Sequence, residues 1–417
     1  MLHLDPPKVE RADIHIAAGK IVAVGQNIDV PDGVDTVDLK GSWVMPGLVC
    51  GHTHLYSALA CGMPMLPTPP TDFADMLAKV WWRLDRALDM EAVAVSAQVG
   101  GVIALQSGVT TIVDHHASPS CIVGSLETMD VALDALGLRR VLCYEVTDRG
   151  GDEEASEGLR AHEGLLARGP TGESAVMVGG HANFTLSDAT LERMGAMAAE
   201  AGVGTHIHVA EAVDDQIQTG EPLINRMMRT GTLQSGSMLA HCVHLSDDEL
   251  RQIDGAGAWT SHQPRSNMNN GVGHAPLGSF GQKTVLGTDG IGADMFAELQ
   301  AGWFRGQEGG VSWSPDRWLA CLSSGARFAG QKLDTKIGKL EPGYQADLLV
   351  LDAVPGPPML AENLAASMIF RLHSGLVRHA MVGGHWALRD RQPTGLATDA
   401  LMGNARRVAK SVWERMR

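Results

Sequence analysis

His52-Thr53-His54 and His206-Ile207-His208 each set two imidazoles two residues apart. On a β-strand, residues two apart face the same side, so each pair can address one point in space. Glu211 follows the second pair, and Ala240-His241-Cys242-Val243-His244 and Gly287-Thr288-Asp289-Gly290 add further imidazoles and a carboxylate. Imidazole combined with carboxylate is the donor set of zinc, with iron(II) and manganese(II) as weaker alternatives. One His-x-His has little weight, because solvent-facing pairs arise by chance. The whole set, drawn from 17 histidines, points to a bound divalent metal ion.

Such residues need a scaffold that gathers them. Short apolar runs at 44–54, 109–115, 140–146, 175–181, 204–211, 238–244, 256–262 and 284–289 alternate with helix-period segments such as 92–106, 159–168 and 191–201. Strand and helix in alternation predict a parallel sheet, and eight such units predict a TIM-like (β/α)8 barrel of class α/β. Function in that fold sits at the carboxyl ends of the strands. All the runs but the third and the last end in or near histidine; the third leads into Glu145 and Asp148, and the last ends in Asp289. Residues 1–48 and 341–417 have a different pattern, short alternating strands with turn glycines, and predict a small β-sandwich built from both chain ends, with a C-terminal helix. The barrel is then expected over 49–340.

Composition removes other classes of function. The charge balance is 33 − 48 = −15, against a nucleic-acid or anionic-membrane binder, which shows a basic face. Hydrophobic residues at 44% and charged residues at 19% are globular values. No run approaches the ~18 apolar residues of a membrane helix, and no apolar segment flanked by basic residues is visible at the start. Six cysteines without a Cys-x-x-Cys read as free thiols, so a cytoplasmic protein is expected. The expected partners are a small-molecule heterocyclic substrate and water, with no nucleic acid and no membrane; a homodimer is left open.

The motif Pro46-Gly47 leading to His52-Thr53-His54, followed in order by His208 with Glu211, Ala240-His241-Cys242-Val243-His244 and Leu286-Gly287-Thr288-Asp289-Gly290, resembles the amidohydrolase superfamily. Within it the chain looks like the cytosine/guanine deaminase and chlorohydrolase branch. Segments 81–88, 114–119, 265–270 and 287–296 are similar to the SsnA aminohydrolase group, and the likeness runs over nearly the whole chain. The resemblance implies a hydrolase acting on non-peptide C–N bonds, most simply a deaminase of an amino-substituted purine, pterin, pyrimidine or triazine. It implies His52, His54, His208 and Asp289 as ligands of one zinc ion, His208 being preferred to His206 because the family's acid lies three residues beyond its ligand. Glu211 would shuttle protons, His241 would hydrogen-bond the attacking water, Asp289 would accept its proton, and His181 would face the substrate. Asn183 stands where related sequences carry proline. Binuclear relatives bridge two metals with a carboxylated lysine, and no lysine lies between Lys79 and Lys283, so a single-metal site is expected. Hydrolysis of another C–N or a C–Cl bond is the alternative reading. A non-catalytic scaffold is the remote one, since such relatives lose ligands and this chain retains them all.

Further contacts are expected from the strand ends and loops. Arg149 and Arg265 follow the third and seventh strands, and a guanidinium fork suits an anionic or oxo-substituted heterocycle. The alternative is pairing with neighbouring acids or a loop carbonyl. Asn267, His115 and Trp82 are further candidate substrate contacts. The segment 55–80 is long for a βα connection and reads as a lid or binding wall. Asp214-Asp215 reads as a solvated helix start.

Overall fold

The computed structural model describes every residue except 30–31, 65–67, 214, 216–219 and 312. The barrel strands are, in order, Leu48–Thr53, Val109–His116, Arg139–Tyr144, a fourth in two pieces (Ser174–Val176 and Val178–Ala182), Thr205–Val209, Met238–His241, Trp259–His262 and Thr284–Leu286. They form two parallel sheets of sequential neighbours. Parallel bridges from Val146 to Gly180 and from Thr53 to Asp289 join these sheets, so the eight strands close on themselves as the alternation predicted. Each strand is buried along its length, as a parallel sheet wrapped by helices requires.

Side-chain caps start several of the outer helices. Asp89, Ser187, Ser246 and Asp294 accept the first free backbone N–H groups of Met90–Gln106, Asp188–Ala201, Asp247–Gly255 and Met295–Glu308. These fixed helix starts set the geometry of the loops above the strands. Among the described residues, no single helix is long and apolar enough to cross a membrane.

The run 44–54 proves to be two strands rather than one. Trp43–Pro46 pairs antiparallel with Leu348–Leu351, whereas Leu48–Thr53 opens the barrel. Gly47 lies at the step between them, where a Cβ would fall 2.1 Å from Thr110 Oγ1. Both chain ends meet in a five-stranded antiparallel sheet, ordered Gln392–Pro393, His385–Arg389, Val377–Val382, Leu348–Leu351 and Trp43–Pro46. The hairpin Asp13–Ala17 with Lys20–Gly25 covers it, and Ile21, Val44, Leu348, Val350 and Met381 form a small core of their own. Arg139 on the third barrel strand holds Asp347, the residue before this sheet's Leu348–Leu351 strand, bidentately, at 2.6 and 3.0 Å. The C-terminal helix Thr398–Arg415 returns to the barrel, where Trp413 Nε1 donates to the Leu59 carbonyl at 2.9 Å.

Candidate active site

The ends of strands one, five, six and eight meet at one point, and the backbone is bent to bring them there. Ala210, His241, Cys242 and Asp289 have φ of 49°, 70°, 53° and 54°, a left-handed conformation uncommon outside glycine. Such strain persists where surrounding contacts over-determine it, and it gathers at functional sites. At Asp289 those contacts are visible: the N–H groups of Thr288 and Asp289 both donate to the His52 carbonyl, at 2.8 and 3.1 Å. Gly287 permits this approach, since a Cβ there would sit 2.7 Å from the backbone N and O of His52.

The imidazoles are aimed by their second nitrogens. His208 Nδ1–H donates to the His181 carbonyl at 2.8 Å, and His54 Nδ1–H donates to the His115 carbonyl at 2.5 Å. A ring that donates through Nδ1 in its neutral form presents a lone pair at Nε2. Those two Nε2 atoms lie 3.2 Å apart, and Asp289 Oδ1 is 2.8 Å from that of His54. His52 Nε2 is buried without a hydrogen-bond partner, 3.6 Å from the same carboxylate oxygen. Burial pushes the His52 imidazole down to about 3 and that of His208 well below its ordinary value, so both are neutral donors of lone pairs. At His54, burial opposes charge, but Asp289 and Glu145 more than offset it and draw positive charge to that point. Two imidazole nitrogens in contact beside a carboxylate need a proton or a cation between them, and the same electrostatics that favour a proton at His54 favour a bound cation there. The donor set therefore fits a bound divalent ion.

His52, His208, His241 and Asp289 bring one potential ligand atom each within 4.8 Å of the others. His54, His115, Glu145 and His208 form a second such group. The second group is better understood as support. His54 Nδ1 is spent on a carbonyl, Glu145 Oε1 lies 3.1 Å from both His54 Nδ1 and His115 Nδ1, and His115 Nε2 meets the His206 carbonyl at 3.1 Å. His206 Nε2 in turn holds His52 Nδ1 at 2.9 Å, so His206 backs a candidate ligand from one layer below. On the other side Ser266 Oγ donates to Asp289 Oδ2, Asn267 Oδ1 lies 2.9 Å from His241 Nδ1, and Asn270 Nδ2 donates to Glu211 Oε1 at 3.1 Å. Glu211 Oε2 stands 3.5 Å from His241 Nε2, which has no partner of its own. Burial raises the Glu211 carboxyl above the usual carboxylate range despite His241.

Beside this cluster is a cavity of about 270 Å³, just under the ~300–1,000 Å³ typical of ligand sites. His54, His181, His208, Glu211, Asp289 and Trp82 all line it. The long segment after strand one supplies a wall: Tyr56, Phe73, Leu77 and Trp81 face the cavity, Leu77–Trp81 being a π-helical turn. Residues 65–67 of that segment lie outside the described residues.

Several expected contacts are corrected. Arg265 does not line the cavity: its backbone N–H and Nε donate to buried Glu298, and Nη2 donates to the Gly292 carbonyl at 2.9 Å. Arg149 donates to Asp85 at 2.5 Å and lies 4.9 Å above the Trp82 ring, so it too reaches a protein carboxylate first. Asn267 and His115 are turned toward His241 and Glu145 rather than toward the cavity. Asp215 is not solvated. It is buried, takes the N–H groups of Ala210 and Phe184 at 2.6 and 3.2 Å, and lines the cavity; Asp214 lies outside the described residues. Glu145, Asp85 and Tyr56 were not singled out from the sequence as site residues, and the one available signal was Glu145 ending the third strand.

Over residues 43–387 the chain matches the Amidohydrolase family, and it belongs to that family. A 5-methylthioadenosine/S-adenosylhomocysteine deaminase of Desulforudis audaxviator is 27% identical, over 96% of this chain and 95% of that one. A zinc-bound adenosine deaminase from Xanthomonas campestris has the same fold, with a TM-score of 0.86 at 22% identity, over 99% of this chain and 96% of that one. An atrazine chlorohydrolase from Arthrobacter aurescens, also solved with zinc, superposes with a TM-score of 0.80 at 21% identity over 96% of each chain.

Proposed function

We propose that this protein is a mononuclear zinc-dependent hydrolase that deaminates an amino-substituted nitrogen heterocycle, releasing ammonia. The observation that carries this reading is the pair of Nε2 atoms of His54 and His208 locked 3.2 Å apart beside Asp289, with Glu211 at the edge of the same cavity. Membership of the family and the deaminase relative support it. His52, His54 and His208 would hold the ion through Nε2, and Asp289 through its carboxylate. When bound, the ion supplies hydroxide at neutral pH by lowering the pKa of a water to about 7.

The chain's own groups then divide the proton work. Asp289, its Oδ2 fixed by Ser266, takes the proton lost from water. Glu211, kept protonated more readily by burial, donates to a ring nitrogen as oxygen adds to the neighbouring carbon. His241, oriented by Asn267, faces the developing oxygen charge. A proton passed on to the exocyclic nitrogen lets ammonia leave and a carbonyl form, so water and the aminoheterocycle are consumed one for one. The same groups could expel chloride from a ring, which the chlorohydrolase neighbour keeps as a second reading. A cytoplasmic location is part of the proposal, from the free cysteines.

Ammonia and chloride release should be measured across purines, pterins, pyrimidines and triazines with zinc-loaded protein. Ammonia from at least one aminoheterocycle is expected, and chloride release alone would favour the second reading. Neither product from any member of the panel would defeat the proposal.

A further inference from the structure

Neither group of potential ligands among the described residues includes Cys143, although a thiolate is a good zinc donor. Strand register explains where its side chain goes instead. His115 of the second barrel strand is level with Cys143 of the third, and Gly179 of the fourth is level with His206 of the fifth. Gly179 leaves the space between them open, since a Cβ there would fall 2.9 Å from the Cys143 sulfur. Across that space Cys143 Sγ lies 3.6 Å from His206 Nδ1, and His206 Nε2 lies 2.9 Å from His52 Nδ1. All three side chains are fully buried, so solvent does not compete for these contacts.

A neutral imidazole has one N–H and one lone pair, so a chain of such rings must run in one direction. The thiol fixes that direction. Its S–H donates to the Asp114 carbonyl at 3.5 Å, which leaves sulfur lone pairs toward His206. His206 Nδ1–H then donates to sulfur, and Nε2 accepts from His52 Nδ1–H. His52 Nε2 keeps its lone pair, 3.6 Å from Asp289 Oδ1, and this is the nitrogen that is buried without a hydrogen-bond partner. Any arrangement with a proton on His206 Nε2, whether reversed or doubly protonated, moves the His52 proton onto Nε2, where it blocks a metal. Resting on His52 as a zinc ligand in the reading above, we infer that Cys143 and His206 form a relay that sets the tautomer of His52 before the ion arrives. Both are positioning residues: neither supplies a ligand atom, and each acts through the next ring.

The test is zinc affinity, measured on full-length protein by competition with a chelator of known affinity, with cobalt(II) absorption as a second readout. His206→Phe keeps a ring but offers His52 Nδ1–H no acceptor. Its zinc dissociation constant should rise by about 10–100-fold, the usual loss for an outer partner of a ligating imidazole. His206→Gln places an amide oxygen near the former Nε2 and should hold zinc within about threefold of wild type, the lower end for one net hydrogen bond. Cys143→Ala removes the sulfur that holds the Nδ1 proton, frees His206 to reverse, and should weaken zinc by roughly three- to tenfold. The visible band of the cobalt-loaded protein should change in His206→Phe and stay as in wild type in His206→Gln. A merely structural role would lower zinc affinity equally in His206→Phe and His206→Gln, and that result would overturn the relay. Wild-type affinity in His206→Phe or in Cys143→Ala would overturn it as well, and Cys143→Ala decides the matter if His206→Phe does not fold. Wild-type protein without tight zinc would remove the metal centre and the relay with it. Tight zinc with these variant effects, but no ammonia from any substrate, would instead sink the deaminase reading and leave the relay standing.

Discussion

Replacing Glu211 by glutamine separates proton transfer from metal binding. The side chain keeps its volume, its carbonyl oxygen can still accept from Asn270 Nδ2, now 3.1 Å from Oε1, and its amide can face His241 Nε2, now 3.5 Å from Oε2. Nothing in the His52, His54, His208 and Asp289 cluster depends on its charge for position, because each of those groups is held by other partners. What disappears is a proton donor whose pKa burial has raised. General acid–base catalysis of this kind contributes about 10²–10⁴ in rate, or roughly 2.7–5.4 kcal/mol of barrier. For any substrate found, kcat and kcat/KM should therefore fall together by that factor, while zinc content by elemental analysis remains at one ion per chain. Steady-state ammonia release gives the first number and metal analysis the second. A variant that loses its zinc, or one that retains more than about a fifth of wild-type activity, would refute the assignment of Glu211 as the proton carrier.

Wild-type protein should hold one tight divalent ion per chain, and His208→Ala should lower its occupancy; two tight equivalents in the wild type would contradict the single-metal site. Arg265→Met should lower the thermal midpoint by leaving Glu298 buried without its partner, yet change kcat/KM by similar factors for neutral and anionic substrates, and a loss confined to anionic ones would show Arg265 reaching the substrate. Asp130→Asn should flatten the acid limb of the stability profile. Burial pushes the Asp130 carboxyl up, but hydrogen bonds from Arg168, Arg140 and Ser174 outweigh it and hold it at about 2, below its unfolded value near 3.8. Its stabilisation is thus fully present above about pH 4 and lost as pH falls toward 2, an amount of about 2 kcal/mol. Urea titrations should show the gap between wild type and variant closing by that much over this window, and a gap independent of pH would refute it.

The part of the site that was legible in the sequence is the part written with short-range rules. His52 and His54, or His206 and His208, are fixed to one face by strand period alone, and a βα alternation then carries every strand end to one side of a barrel. A change of sheet inside an unbroken apolar run has no such mark: at Gly47 the chain leaves an antiparallel sheet for the barrel, and both halves are equally hydrophobic. Glu145 was equally quiet, since its place between His54 and His115 depends on strands whose register becomes visible after folding. Adjacent acids such as Asp214-Asp215 resemble a solvated helix start because local composition does not reveal that two backbone N–H groups from other segments wait for the second carboxylate. The arginines show the same limit from the opposite direction. Their partners lie 64 and 33 positions away, on elements that periodicity does not connect to them. In a chain with 48 acids against 33 bases, a guanidinium on the catalytic face meets many protein carboxylates before any ligand arrives. Scarcity of positive charge, which made Arg149 and Arg265 conspicuous in the sequence, is therefore also the reason the folded protein consumes them.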